Sequence, residues 1–256
     1  MKIVAVIPAH MASVRFPGKI LHDIKGLPMI EHVRRRALMS KKIDDVYVAT
    51  CDLEIATAIK RFGGKVVLTS SSHQNGTSRV IEAIQDIECS HVILLQGDEP
   101  LLLPRHLDLM VDAIEKNQNA VMWNATAPIS EEEELDRHSF VKCLISNSNR
   151  ILMCFRRSPL FGNVELQKLY IKKILGIIAY EKKFLLSLGN YASSKLELLE
   201  SIEQMKVIEN DGQIISVAVE PSLPSINQPD EVDVVLTMLA TNVEQVFLLE
   251  EVLNAQ

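Results

Sequence analysis

One carboxylate, Asp98, stands directly after a short apolar segment in the first half of the chain. The segment His91–Leu95 has the length and composition of a buried strand, and it is followed by Gln96-Gly97-Asp98-Glu99-Pro100. Ligands of open α/β sheets collect at the carboxyl ends of the strands. Carboxylates are also what proteins use to hold Mg²⁺ beside substrate phosphates. The sequence therefore predicts that Asp98 anchors a metal–phosphate group.

A basic loop follows the first apolar segment, residues 2–7. It reads PAHMASVRFPGK over residues 8–19 and places a glycine and two cations, Arg15 and Lys19, within five positions. The backbone N–H groups of such a loop form an anion cradle, while arginine forks onto phosphate oxygens and lysine adds a point charge. The loop is predicted to bind a polyphosphate. The alternative is a surface loop with ordinary solvated charges.

Two widespread nucleotide-binding motifs are absent from the sequence. The loop lacks the GxxxxGK[ST] spacing of the P-loop and the GxGxxG spacing of dinucleotide-binding folds. The sequence therefore does not favour an ATPase or a dehydrogenase.

The alternation of patterns along the chain indicates how these residues are positioned. Strand-like segments at residues 3–7, 46–49, 66–68, 92–95 and 121–127 alternate with helix-like segments at 29–39, 53–62, 79–87 and 106–114. Such βαβ alternation predicts an α/β fold with a mostly parallel sheet. Asp52 is predicted to cap the second helix, and Gly63-Gly64 to end it.

The pattern changes after about residue 128. Short strands at 141–145, 151–155 and 174–180 predict a smaller antiparallel lobe, suited to a second substrate or to self-association. A helix at 195–209, a strand at 214–219, a proline-rich loop and two helices at 230–240 and 243–253 are predicted to complete the fold.

The composition excludes some partners. The chain has 256 residues, 47% of them hydrophobic, and a formal net charge of −6. Because the charge is spread along the chain, no basic footprint for nucleic acid is visible. The first apolar stretch is too short to span a bilayer, and no signal peptide precedes it. We expect a soluble, cytoplasmic protein with no nucleic-acid partner and no membrane insertion.

The four cysteines carry no metal-binding or redox spacing. Cys51, Cys89, Cys143 and Cys154 contain no CxxC pair, and three of them lie in or beside apolar segments. Such cysteines behave as small hydrophobic residues, so we expect buried thiols.

The ordered motifs resemble those of the sugar-acid cytidylyltransferases, and within them the CMP-KDO synthetase (3-deoxy-manno-octulosonate cytidylyltransferase) family. The family's opening motif is approximately PARxxSxRxPGK, and residues 8–19 match it at seven positions. Residues 73–79 resemble its HxSGTxR loop, and Gln96-Gly97-Asp98-Glu99-Pro100 matches in full. Later matches include Arg157-Ser158-Pro159 and Glu203-Gln204, so the likeness extends through nearly the whole chain.

The resemblance implies a Rossmann-like nucleotidyltransferase, with residues 1–256 forming a single domain. A smaller lobe at about 128–195 would bind the sugar or form the dimer. The implied reaction couples CTP to 3-deoxy-manno-octulosonate (KDO) or a related 2-keto sugar acid and releases pyrophosphate. A cytoplasmic, Mg²⁺-dependent homodimer serving lipopolysaccharide or capsule synthesis is the implied setting.

The resemblance also implies roles for individual residues. The catalytic residues would be Arg15, Lys19 and Asp98, with Asp98 and Asn227 as metal ligands. The nucleotide-binding candidates are Pro8, Ala9, His10, Ser13, His73, Arg79 and Gln96, and the sugar-binding candidates are Arg157, Glu203 and Gln204.

Five positions depart from the family's pattern, and one of them is Arg156, which replaces a small residue. His10 replaces an arginine of the opening motif, which should weaken phosphate binding because histidine is largely neutral near pH 7. Asn227 replaces a second metal-binding aspartate and brings an oxygen ligand without charge. Ile174 and Ile178 replace a histidine and a tyrosine on the sugar side, so CTP use is better supported than KDO use.

Two alternatives remain open at this point. His10 and Asn227 together are compatible with a catalytically silent paralogue that binds a nucleotide or a partner without turnover. A nucleotidyltransferase that uses another base, such as UTP, is the second alternative. The loop at residues 73–79 favours the cytidylyl branch.

Overall fold

The computed structural model describes residues 1–159, 162–192 and 194–255. The chain divides into two compact units, one formed by Met1–Asp108 with Leu223–Gln256 and the other by Leu109–Ser222. The lobe predicted at 128–195 falls inside the second unit, and its role in sugar binding and dimerisation stays a prediction.

The described residues form strands and helices in alternation. The strands are β1 Ile3–Ala9, β2 Asp23–Ile24, β3 Leu27–Pro28, β4 Asp45–Thr50, β5 Lys65–Leu68, β6 His91–Leu95, β7 Met122–Pro128, β8 Lys142–Ile145, β9 Ile151–Phe155, β10 Ile171–Glu181 and β11 Ile214–Ala218. The helices are α1 Met29–Leu38, α2 Leu53–Arg61, α3 Gly76–Ala83, α4 Pro104–Lys116, α5 Val164–Tyr170, α6 Lys182–Leu188, α7 Lys195–Glu200, α8 Gln204–Glu209, α9 Glu231–Thr241 and α10 Val243–Asn254.

The first unit is built on four parallel strands in the order β6-β1-β4-β5. Strand β1 is almost entirely apolar and buried, as expected of a parallel strand that is covered on both faces. The chain moves outward from β1 through β4 to β5, and then returns to β6 on the other side of β1. The topological switch point therefore lies between β1 and β6, where such sheets bind their ligands.

The second unit contains a mixed sheet. Strand β10 pairs antiparallel with β7 and β8, β9 pairs antiparallel with β8, and β11 runs parallel to β7. The antiparallel strands predicted after residue 128 are confirmed. The whole architecture confirms the predicted α/β class.

Two predicted helices differ from the structure. Helix α3 spans Gly76–Ala83 rather than residues 79–87. It begins at Gly76 because the Asn75 side chain accepts the Ser78 N–H at 2.8 Å and caps it. The helix predicted at 195–209 is two helices, α7 and α8. The chain breaks between them at Ser201, whose φ of 54° lies in the left-handed region.

Burial explains the chemistry of the cysteines. Cys143 and Cys154 are buried as expected, whereas Cys51 and Cys89 are only partly buried, because they lie in loops at the ends of elements rather than inside strands. Burial raises the pKa of the Cys143 thiol to about 12, so that group is unreactive near neutral pH.

Within the residues that the structure describes, no single helix is long and apolar enough to cross a membrane. Only α9 and α10 taken together, bent by 94°, reach that length and composition.

Candidate active site

A cleft of about 600 Å³ opens in the first unit at the carboxyl ends of its parallel strands. Its walls come from the loop after β1, the ends of β4 and β6, the segment leading into α3, and Asn227. The volume lies within the range of small-ligand sites. Every residue predicted above to be catalytic, nucleotide-binding or metal-binding lines this cleft. The sequence-derived set is thus brought together in space.

The basic loop is closed around the peptide groups of Met11. The Met11 carbonyl accepts the N–H groups of Ser13 and Gly18 at 2.9 and 3.2 Å. Gly18 adopts φ +70°, a conformation that side-chain-bearing residues rarely take, and a short 3₁₀ helix, Lys19–Leu21, follows directly. The loop therefore delivers Lys19 from a fixed turn.

Asp52 holds the same loop from strand β4. Its Oδ2 accepts the Met11 N–H at 2.8 Å, and no capping hydrogen bond to α2 is formed by its side chain. Asp52 therefore occupies the N-cap position of α2, as predicted, but its side chain contacts Met11 instead of capping the helix. No local sequence pattern indicates the contact between Asp52 and the basic loop, because Met11 is 41 positions away in sequence.

Lys19 and Asp98 form an ion pair at the switch point. The Lys19 Nζ lies 2.5 Å from Asp98 Oδ2 and donates a second hydrogen bond to the Ile226 carbonyl at 3.0 Å. The Ile226 N–H in turn donates to the Asp98 carbonyl at 2.9 Å. The two side chains are only 11% and 20% exposed, so solvent screens the pair weakly.

Asn227 lies beside this pair, with its amide orientation fixed. Its Oδ1 accepts Arg15 Nη2 at 3.2 Å, and its Nδ2 donates to Ser225 Oγ at 2.9 Å. The Glu231 carboxylate accepts the backbone N–H groups of Asn227 and Gln228 at 2.5 and 2.9 Å. Arg15 and Asn227 thus meet across 212 positions of sequence.

The opposite wall is formed by the start of α3. A Cβ on Gly76 would lie 3.1 Å from Pro8 Cγ, so glycine lets the helix approach β1 closely. Arg79 is buried and donates to Thr69 Oγ1 at 2.6 Å and to the Ser70 carbonyl at 3.3 Å. Its hydrogen bonds fasten the segment after β5, and its predicted contact with the nucleotide stays a prediction.

His73 is held at the edge of this wall by Glu82. The His73 Nε2 donates to the Glu82 carboxylate, which also accepts the Ser70 N–H at 3.1 Å. The hydrogen bond from His73, followed by that from Ser70, lowers the pKa of Glu82 below its ordinary value. The His73 ring is therefore oriented before any ligand arrives.

Two buried side chains support the segment that follows Asp98. Arg36 Nη1 donates to the Leu102 carbonyl at 3.2 Å, and Gln245 Nε2 donates to the Leu101 carbonyl at 2.9 Å. Burial lowers the pKa of Arg36 to about 10, which still leaves it charged at pH 7. Neither residue carries a local sequence signal for this function, because both contacts are long-range.

The predicted sugar-binding residues lie in the second unit. Arg157 is 76% exposed, with its Nε 3.4 Å from Asp136 Oδ1. Gln204 is buried, and its Nε2 donates to Asn124 Oδ1 at 2.9 Å. Glu203 immediately precedes α8. The structure does not test their binding of a sugar, so their role stays a prediction.

A parallel sheet whose switch point carries a basic anion-binding loop opposite a carboxylate is suited to a nucleoside triphosphate, as in the nucleotidyltransferase class. The Cytidylyltransferase family model matches residues 4–214, and the chain belongs to this family.

Similar proteins of known name include two kinds of sugar-acid cytidylyltransferase. The 3-deoxy-manno-octulosonate cytidylyltransferase of Thermodesulfovibrio yellowstonii is 36% identical over 255 residues, covering 94% of this chain and 99% of that protein. The 8-amino-3,8-dideoxy-manno-octulosonate cytidylyltransferase of Shewanella piezotolerans is 36% identical over 247 residues, covering 94% and 100%. A solved structure of CMP:2-keto-3-deoxy-manno-octonic acid synthetase complexed with CTP superposes with a TM-score of 0.90 at 31% identity, covering 95% of this chain and all of that one. The chain is a cytidylyltransferase related to both kinds of enzyme.

Proposed function

We propose that the protein couples CTP to KDO or a related 2-keto sugar acid, giving the CMP-sugar and pyrophosphate. The observation that carries this proposal is the convergence of Arg15, Lys19 and Asp98 in one cleft at the switch point of a parallel sheet. Two relatives named for KDO and its 8-amino analogue, and a similar structure complexed with CTP, support the choice of substrates.

The bonds that change in this reaction are at the phosphates of CTP. The anomeric hydroxyl oxygen bonds to the α-phosphorus of CTP as its proton passes to solvent, the bond from that phosphorus to the bridging oxygen breaks, and pyrophosphate leaves. Charge develops on phosphate oxygens, so catalysis is mostly positioning and charge neutralisation. Lys19 supplies a compact charge and Arg15 a planar fork. Because both cations already have fixed partners in Asp98 and Asn227, little further ordering is needed.

In this proposal the cytidine part of CTP lies in the cleft between the end of β1 and the start of α3. The backbone of Pro8 and Ala9 and the side chains of His10, Ser13 and Gln96 would surround it. The Gln96 amide both donates and accepts, which suits the amino and keto groups of cytosine. Arg157, Glu203 and Gln204 are the proposed sugar-binding residues, with the exposed Arg157 matched to the sugar carboxylate.

The family implies a divalent metal ion, and we propose Mg²⁺ held by Asp98 and Asn227. Among the described residues, no group of three or more His, Cys, Asp and Glu side chains is arranged to hold a metal by itself. Mg²⁺ characteristically binds one or two carboxylates together with substrate phosphates, so one carboxylate and one amide oxygen fit it. When bound, the ion would neutralise charge on the phosphate oxygens.

Asn227→Asp is expected to lower the Mg²⁺ concentration required for half-maximal activity by about tenfold, because the new ligand adds a negative charge. The measurement is a Mg²⁺ titration of pyrophosphate release at saturating CTP. Asn242→Asp, on the cap of α10 and away from the cleft, serves as the matched control. An unchanged Mg²⁺ requirement in Asn227→Asp would place residue 227 outside the metal's ligand set.

The proposed activity is tested by pyrophosphate release from purified protein with Mg²⁺ and CTP. We expect release with KDO, with its 8-amino analogue or with another 2-keto sugar acid, and more than tenfold less with UTP in place of CTP. If no 2-keto sugar acid gave pyrophosphate release, the proposal would be refuted. A preference for UTP over CTP would assign the chain to another class of nucleotidyltransferase.

A second candidate function is a nucleotide-binding paralogue without turnover, which the substitutions at His10 and Asn227 favour. Calorimetry that detects CTP binding in the absence of any turnover supports this candidate. Activity gained by the double variant His10→Arg/Asn227→Asp would then assign the loss to these two positions.

The proposed cellular setting is the one that the resemblance to the KDO cytidylyltransferases implies. We propose a cytoplasmic homodimer that supplies an activated sugar acid for lipopolysaccharide or capsule synthesis. A mass of twice 28.7 kDa in solution would support the dimer.

A further inference from the structure

Asp52 is a carboxylate that lines the cleft without belonging to the predicted catalytic set. It follows β4 and directly precedes α2, the position where an aspartate ordinarily caps a helix. Its side chain makes no capping hydrogen bond, and its Oδ2 instead accepts the Met11 N–H at 2.8 Å. The stabilisation that a cap normally gives is therefore forgone in favour of a contact with the basic loop.

Met11 is the residue around which the loop closes. Its carbonyl accepts the N–H groups of Ser13 and Gly18, which closes residues 11–18 into a turn. Its N–H is the group held by Asp52. One peptide segment thus ties β4 to the turn that delivers Arg15 and Lys19.

Asp52 is itself attached to the end of the preceding strand, β4. Its backbone N–H donates to Thr50 Oγ1 at 3.1 Å, and Thr50 is fully buried at the end of β4. Asp52 is therefore held by a buried strand end, while the loop that it contacts is partly exposed. A carboxylate in a cleft for a triphosphate repels the ligand unless it has another function, and the hydrogen bond from the Met11 N–H to Asp52 gives it one.

We infer that Asp52 is a positioning residue that holds the basic loop in its phosphate-binding shape through the Met11 N–H. This inference rests on the proposed function for its effect on CTP. Loss of the contact leaves Lys19 attached to Asp98 but releases the amino-terminal side of the loop. CTP binding then requires ordering of the loop, so KM rises while kcat changes little.

Three substitutions separate this role from helix capping. Asp52→Asn keeps an acceptor oxygen at the same distance and should stay within about threefold of wild type in KM for CTP. Asp52→Ala removes the acceptor for the Met11 N–H and leaves no group that could cap α2. Asp52→Ser keeps a strong capping group but is too short to reach Met11. We expect Asp52→Ala and Asp52→Ser to raise KM by about tenfold, the scale of one hydrogen bond to a charged group, with kcat within about twofold.

Hydrogen exchange of the chain without nucleotide provides a readout that does not depend on activity. Peptides covering residues 10–19 should exchange faster in Asp52→Ala and Asp52→Ser, and at the wild-type rate in Asp52→Asn. Asp86→Ser, at an exposed carboxylate of the same unit, is the matched control and should change neither KM nor exchange.

Each outcome has a distinct meaning. Wild-type KM and exchange in Asp52→Ser would overturn the inference and leave helix capping as the role of Asp52. A wild-type chain that neither binds nor uses CTP would overturn the proposed function, whereas the exchange rates would still decide whether Asp52 orders the loop.

Discussion

Asp98→Asn is expected to lower kcat/KM for pyrophosphate release by about a thousandfold, equivalent to about 4 kcal/mol of transition-state stabilisation. The substitution keeps the shape of the side chain and an oxygen that can accept from Lys19. It removes the charge that would hold the metal and orient Lys19. The loss should fall mainly on kcat, because charge on the phosphates grows as the transition state is approached. Steady-state kinetics at saturating Mg²⁺ measure it.

The control for this prediction is Asp86→Asn, the same chemical change at an exposed position outside the cleft. It should leave kcat/KM unchanged. Asp98→Asn leaves the weakly screened Lys19 ammonium facing a neutral side chain, so we expect it to lower the stability of the chain. The kinetics are therefore compared at a temperature at which the unfolding transitions show both proteins to be folded. A folded Asp98→Asn variant with kcat/KM within tenfold of wild type would remove Asp98 from the catalytic centre.

The parts of the fold that depend on local pattern could be predicted from the sequence. Strands β1 and β6 appear as apolar runs, and chain order alone places the residues after them at the same edge of a parallel sheet. For that reason Lys19 and Asp98, 79 positions apart, could be expected in one site. The match of the ordered motifs added Asn227, which no local pattern indicates.

Other parts could not be predicted, because long-range contacts determine them. Asp52 satisfies the local rule for a helix cap, but Met11 occupies its carboxylate instead. Gln245 and Arg36 support the backbone after Asp98 from distant helices. Helix α3 starts before residue 79 because Asn75 caps it, and the glycine that follows Asn75 is a poor helix former, so the apolar periodicity does not indicate this start.

The break at Ser201 shows a different limit. A left-handed residue usually coincides with glycine or asparagine, and neither occurs between α7 and α8. The capping box of Ser194 and Glu197 starts α7, and the left-handed turn then ends it. Arg156, from a distant part of the chain, donates to the Glu200 and Ser201 carbonyls at 2.9 and 3.1 Å and holds this turn. Helical periodicity does not indicate that contact, so it extends the predicted helix across the turn.

Lys19→Met is expected to lower kcat/KM by about a hundredfold, because the amine is the compact cation nearest Asp98 at the switch point. Lys19→Arg should lose less, since it keeps the charge but not the compact geometry of two hydrogen bonds to Asp98 and the Ile226 carbonyl. The exposed Lys60→Met on α2 is the matched control and should be neutral.

The double variant Lys19→Met/Asp98→Asn tests whether the two residues act as a unit. Residues in direct contact show coupling energies of about 0.5–3 kcal/mol, whereas independent sites are additive. Because the Lys19 Nζ lies 2.5 Å from Asp98 Oδ2, each single substitution already removes part of the other residue's function. The loss in the double variant should therefore be about tenfold smaller than the product of the two single losses. Losses that multiply within about twofold would mean that Lys19 and Asp98 act on the substrate separately, and that their ion pair is not part of the catalytic arrangement.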